Sequence, residues 1–264
     1  VICNMPTGTP VYGFRLTNST GAVVELTNWG ARWLSAIVPD RNGEMANVLV
    51  SPADRCRTSS TWVPSWAAMP TASEAHASAS MGKPTNWKKR RQNTNHGGFS
   101  GFDRMLWDWE ILNDGVRFKR LSLDGEGGYP GNVHVTVEYR WTDDNELSIR
   151  YYGTTDKATF LNLTNHAYFN LGGKKERITG HILHIPSHTM LDTTPQFIPT
   201  GKRVNVDGTP FDFTSAKPIG QDLYDDHEQL KWNKGYNHCY ILKTEKSPDM
   251  VEAARLSNPT RAAA

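Results

Sequence analysis

Ten residues, Asn162 to Leu171 (NLTNHAYFNL), carry the most concentrated chemistry in the chain. Read as a strand, they divide by parity. Asn162, Thr164, His166, Tyr168 and Asn170 fall on one face, and each can donate or accept a hydrogen bond. Leu161, Leu163, Asn165, Ala167, Phe169 and Leu171 fall on the other, and all but Asn165 are apolar. A surface strand ordinarily carries charge on its wet face. This one carries neutral donors and acceptors around a single histidine, the lining suited to an uncharged, polyhydroxylated ligand. Two further segments add polar groups. Asn95-His96-Gly97-Gly98 places a histidine before two glycines, where bare backbone lets a ligand approach closely. Gly235-Tyr236-Asn237-His238 sits just ahead of an apolar run. Alone, each of these two reads as an ordinary turn.

The elements that must position these residues are strands. Val133, Val135, Val137 and Tyr139 alternate with His134, Thr136, Glu138 and Arg140, the pattern of a half-buried antiparallel strand. Thr142-Asp143-Asp144-Asn145 then reads as a hairpin turn into Glu146–Tyr152. Val23–Trp29, Leu34–Val38, Met105–Leu112, Val116–Leu121, His181–Ile185 and Tyr236–Leu242 are the other expected strands. No long segment of helical period competes with them. Many short strands between Gly, Pro, Asn and Asp turns predict an all-β antiparallel sandwich, and the absence of a linker predicts one domain over residues 1–264. The stretch 51–80 stands apart: 17 of its 30 residues are Ala, Ser or Thr, without a clear period, as in a long surface loop.

Composition narrows the function classes. The 264 residues carry a net charge of +2, and Lys88–Arg91 is the one basic run. Without aromatic–basic interleaving, nucleic acid is not an expected partner. No run of 18 apolar residues suggests a membrane span. The three cysteines, Cys3, Cys56 and Cys239, are odd in number and far apart, which does not read as a disulfide framework. The expected compartment is therefore reducing, and with no signal peptide visible it is the cytoplasm. His181, His184 and His188 could suggest a metal, but 181 and 184 point to opposite faces of a strand, so no metal site is expected. Nine tryptophans are many for this length, and their apolar faces also suit sugar rings.

Taken together, the segments resemble the aldose 1-epimerase (galactose mutarotase) family. The resemblance runs through Thr27-Asn28-Trp29-Gly30-Ala31, Val38-Pro39-Asp40, His96-Gly97-Gly98, Gly101-Phe102-Asp103, Trp107 and Gly128–Asn132. It continues through Asn162–Leu171, Pro199-Thr200-Gly201, Phe211-Asp212-Phe213, Gly235-Tyr236 and His238. It implies a large antiparallel galactose mutarotase-like sandwich with a sugar cleft. It also implies an isomerase that interconverts the α and β anomers of a free hexose, galactose or glucose, by acid–base ring opening. That chemistry needs an acid and a base, with no metal and no other cofactor. By the resemblance, His166 is the proton donor to the ring oxygen. His96 is the second active-site histidine and a sugar contact, and Tyr168 and Asn237 bind substrate.

Three departures qualify the likeness. Asn237 stands where the family usually has Asp, which keeps the shape but loses the charge. The family's Asn-Arg-Ile segment is missing from the Ala/Ser/Thr-rich stretch that occupies its place. The family's general base, a glutamate, lies on a late strand, whereas Glu245 and Glu252 sit in a polar stretch and are not expected to replace it. The sequence is therefore expected to lack the family's C-terminal strands. Two alternatives follow: a hexose 6-phosphate epimerase using Lys88–Arg91 for the phosphate, or a non-catalytic sugar-binding protein.

Overall fold

A computed structural model describes residues 1–50, 101–242 and 250–261, together with the backbone of five short strands between residues 66 and 94. The chain divides into two compact units. The first comprises Val1–Pro39 and Glu44–Phe169, and the second Asp40–Gly43 and Asn170–Ala264.

The first unit is built on two four-stranded antiparallel sheets. One runs in chain order through β1 (Gly13–Thr17), β2 (Val23–Thr27), β3 (Arg32–Pro39) and β4 (Met45–Asn47). The other runs through β5 (Asp108–Leu112), β6 (Gly115–Ser122), β7 (Val133–Trp141) and β8 (Leu147–Thr155). Short turns explain this consecutive order, since antiparallel neighbours need only a tight connection. The β7–β8 turn closes through Thr142 N–H to Glu146 O, with Asn145 in the left-handed region at φ 61°.

The inner faces of both sheets share one core. Phe14, Val24 and Leu26 come from the first sheet, and Val116, Phe118, Val135, Val137 and Tyr139 from the second. Phe118 and Tyr139 are fully buried and meet edge to face at 6.0 Å. Each such side chain contributes about 1.5–3 kcal/mol by leaving water. The alternation expected over Val133–Arg140 is present, with one exception. Glu138 is buried because Arg117 Nε, on the neighbouring strand, donates to it at 2.7 Å.

The sheets also meet at Gly30 and Ala31. Gly30 N–H donates to Met105 O at 2.8 Å, and Trp107 N–H donates to Asn28 O at 2.9 Å. A short β9 (Leu163–Thr164) follows, pairing with Trp66–Ala67.

The second unit holds a three-stranded sheet in which β10 (Ile182–His184) lies between β13 (Lys217–Pro218) and β14 (Arg255–Ser257). A hairpin of β11 (Thr189–Thr193) and β12 (Pro199–Asn205) and one helix, α1 (Glu228–Asn233), accompany it. Met190, Val206, Phe211 and Leu230 form its core. The strand expected over Tyr236–Leu242 is absent. Pairing there is limited to a bridge of Tyr240 with Met190, flanked by Leu191 N–H to Cys239 O and Ile241 N–H to Thr189 O, and the Tyr236 and Tyr240 hydroxyls donate to the carbonyls of Pro210 and Phe211. Cys3 is disulfide-bonded and Cys239 is a free, exposed thiol, so the odd cysteine count conceals a bridge. No helix among the described residues is long and apolar enough to cross a membrane.

Candidate active site

The segment around His166 departs from the continuous strand expected of it. Leu161 and Leu163 do pack against the core of the first unit. Regular pairing then stops after Thr164 and returns only as a bridge between Phe169 and Leu49. The break has a local cause in Asn165. Its Oδ1 accepts the Ala167 N–H at 3.0 Å, a side-chain turn that takes the place of a ladder bond. Its Nδ2 donates at 3.2 Å to the hydroxyl of Tyr139, which in turn donates to Ala31 O at 2.8 Å. Beyond the turn, Val50 N–H donates to Tyr168 O at 2.9 Å, and the Phe169 ring meets Trp33 edge to face at 5.8 Å. The backbone carrying His166 is thus fixed on both sides.

His166 itself is half-buried, and its ring lies 5.2 Å from that of Tyr168, which is 49% exposed. Burial lowers the imidazole pKa below its ordinary value of 6.5, opposed by a hydrogen bond to backbone. The ring is therefore mainly neutral at pH 7, and gives up a proton readily when it carries one.

The expected polar row does not extend through Asn170. That side chain is buried and folded onto its own turn, donating to Lys174 O and Glu176 O and accepting the Gly172 N–H. His166 and Tyr168 are the two proposed site residues that the structure places side by side. Asn237 belongs to the second unit, where it is exposed and its amide donates to Asn233 Oδ1 at 3.3 Å. Its neighbour His238 packs on Phe211 at 4.4 Å, and burial pushes its pKa down to about 4. His96 and Lys88–Arg91 lie outside the described residues.

Sequence reading passed over Asn165 and Tyr139. The available signal was Asn165 itself, the one polar residue in the apolar row.

The three histidines weighed for metal are each engaged separately. His181 Nε2 accepts the Leu171 N–H at 2.9 Å, His184 pairs with Glu252 at 3.2 Å, and His188 pairs with Asp207 at 2.6 Å. Glu252 also binds Arg255 at 2.7 Å, and these partners hold its pKa below the usual range, which suits an ion-pair carboxylate rather than a base.

Comparison with known proteins places the chain in a family. The aldose 1-epimerase family model matches residues 12–263. The chain is 36% identical to the aldose 1-epimerase of Escherichia coli K12, over 94% of this chain and 73% of that protein. It is 40% identical to the human galactose mutarotase, over 60% of this chain and 44% of that protein. The galactose 1-epimerase structure from Lactobacillus acidophilus superposes with a TM-score of 0.84 at 25% identity, covering 98% of this chain and 76% of that one. The all-β galactose mutarotase-like fold is therefore that of this chain too. On its sequence and its fold, the chain belongs to the aldose 1-epimerase family, whose members are isomerases.

Proposed function

We propose that this protein interconverts the α and β anomers of a free hexose, galactose or glucose, with His166 as the proton donor to the ring oxygen. The observation that carries this reading is the placement of His166. It is a half-buried imidazole of lowered pKa, beside an exposed tyrosine, on a backbone fixed at both ends.

The chemistry follows from that placement. His166 delivers a proton to the ring oxygen as the bond from that oxygen to C1 breaks. The C1 hydroxyl loses its proton to a general base, and an open-chain aldehyde forms. Rotation about C1–C2 presents the other face of the aldehyde, and the reverse transfers close the ring. An acid of lowered pKa gives up its proton more easily in the transition state. Tyr168 lines the sugar beside the acid, His96 contacts its hydroxyls, and Asn237 supplies a neutral contact. No residue of this chain is assigned the base.

Polarimetry of freshly dissolved α-D-galactose tests the proposal. The protein is expected to speed the approach to rotational equilibrium, and His166→Ala to remove at least about a hundredfold of that acceleration. His96→Ala is expected to weaken both binding and rate. Absence of acceleration by the intact protein sinks the proposal, and calorimetric sugar binding without acceleration points to a binding protein. Faster turnover of glucose 6-phosphate than of glucose points to the phosphorylated substrate.

A further inference from the structure

We propose that Asn165 and Tyr139 are positioning residues for His166: a hydrogen-bond chain from Ala31 through Tyr139 to Asn165, buried at its Tyr139 end, sets the direction in which the imidazole meets the sugar. The inference rests on the reading of His166 as the proton donor.

The two ends of the Asn165 side chain have different tasks. Oδ1 closes a turn on Ala167 N–H, and the residue inside that turn is His166. Nδ2 reaches the Tyr139 hydroxyl, so the turn is tied to the interior. Tyr139 is a rigid anchor. It is fully exposure-free, lies within β7 between two paired strands, and packs on Phe118. Its hydroxyl donates to Ala31 O and accepts from Asn165, using a tyrosine's donor and an acceptor position together. Ala31 is itself held in the left-handed region at φ 48°, beside Gly30, which bonds Met105 O. The chain thus links the His166 turn to the place where the two sheets meet.

Packing alone does not require an asparagine here. The neighbouring positions of the same parity are Leu161, Leu163, Ala167 and Phe169, of which Leu161 and Leu163 pack on the core, and an apolar side chain would continue that row without desolvating an amide. What an apolar residue lacks is direction. Its Oδ1 bond fixes the peptide after His166 and its Nδ2 bond ties the side chain to Tyr139, whereas hydrophobic contact is non-directional. Proton transfer is sensitive to such placement, because an ångström of misalignment costs about a hundredfold in rate.

The test uses the full chain and three variants. Tyr139→Phe keeps the ring and removes the hydroxyl. Asn165→Ala removes both ends, and Asn165→Ser can still close the turn but is too short to reach Tyr139. Tyr151→Phe is the control, a neighbouring tyrosine whose hydroxyl makes no hydrogen bond. Two quantities are read: kcat and KM from polarimetry of α-D-galactose, and the titration midpoint of the His166 ring by NMR.

Asn165→Ala and Tyr139→Phe are expected to lower kcat by about 10- to 100-fold while KM stays within about twofold. Both should raise the His166 midpoint toward 6.5 as the released ring gains water. Asn165→Ser should behave like Tyr139→Phe, and combining it with Tyr139→Phe should add little, since both cut the same link. Tyr151→Phe should leave kcat and the midpoint at their wild-type values.

Wild-type kcat and an unmoved His166 midpoint in Asn165→Ala overturn the proposal. So does an equal effect from Tyr151→Phe. Should Asn165→Ala fail to fold, Tyr139→Phe and Asn165→Ser decide by the same criteria. Should the wild-type protein prove inactive, the function reading fails by itself, and the NMR midpoints still decide whether the two residues position the ring.

Discussion

The imidazole of His166 and the phenol ring of Tyr168 lie 5.2 Å apart, centroid to centroid, with their planes inclined at 43°. Tyr168 therefore shields one side of a ring whose pKa is lowered by burial. Tyr168→Ala is expected to admit water to that side and move the His166 midpoint up toward 6.5. It should also raise KM for galactose by about five- to tenfold, through loss of the aromatic surface proposed to line the sugar. Tyr168→Phe keeps the ring and should leave the midpoint in place. NMR titration and polarimetry on the same samples check both.

The pH dependence of catalysis follows from the direction of that shift. His166 in the folded protein loses its proton at a midpoint below 6.5. The protonated fraction thus falls as pH rises through that midpoint. If ring opening draws on that proton, kcat/KM should decline on the alkaline side of a midpoint below 6.5. In His166→Gln the limb should be absent. A rate profile from pH 4.5 to 8.5, corrected for uncatalysed mutarotation, measures it.

His181 makes a separate prediction about stability. It is buried, and its Nε2 accepts the Leu171 N–H, which requires the neutral ring. Burial lowers its pKa, and that of His238 to about 4. Above 6.5 both rings are neutral in the folded and unfolded chain, and their contribution is fully present. As pH falls below 6.5 the unfolded chain takes up protons first, so stability is lost until the folded-state values are reached. The urea midpoint should therefore fall between pH 7.5 and 5. His238→Phe, which keeps a ring against Phe211 and cannot titrate, should lessen that fall.

The sheets of the first unit were legible because burial on one side imposes parity. Val133 to Trp141 shows it, and the fault at Glu138 depends on an arginine from the neighbouring strand, which local pattern does not reveal. The candidate site was less legible for the same physical reason that makes it rigid. A side chain of Asn165 competes with the backbone for the Ala167 N–H, so parity fails where His166 sits. Asn170 was misassigned to the polar row because its partners are the carbonyls of its own turn. Tyr236 and Tyr240 looked like strand residues, but backbone pairing there is limited to a bridge at Met190, and their hydroxyls donate to the carbonyls of Pro210 and Phe211, contacts that local pattern does not reveal. Motif resemblance identified the family even where periodicity failed, since it does not depend on regular structure.

Tyr151 carries a buried hydroxyl with no hydrogen-bond partner. An unmet buried hydroxyl costs stability, and its removal leaves the ring packing intact. Burial also raises the Tyr151 pKa, in keeping with an unsolvated phenol. Tyr151→Phe is expected to stabilise the protein by about 1 kcal/mol in urea unfolding. A loss of similar size would mean that the hydroxyl is bonded in solution.

Gly30 offers the most direct test of the joint between the sheets. Its φ is +74°, and a Cβ there would stand 2.4 Å from Asp103 O, a backbone atom that cannot simply rotate away. Gly21 has nearly the same conformation, φ +81°, with nothing within 4 Å of a Cβ. Gly21→Ala should therefore cost only the backbone strain, about 1 kcal/mol. Gly30→Ala adds the clash and should cost about 2–4 kcal/mol. The displaced backbone also bears Ala31, whose carbonyl receives the Tyr139 hydroxyl. A Gly30→Ala protein that still folds should then show the His166 midpoint shifted toward 6.5, and Gly21→Ala should not. Equal urea midpoints for the two variants would mean that the sheets can part at Gly30 without cost, and that the anchor beneath His166 is softer than its hydrogen bonds imply.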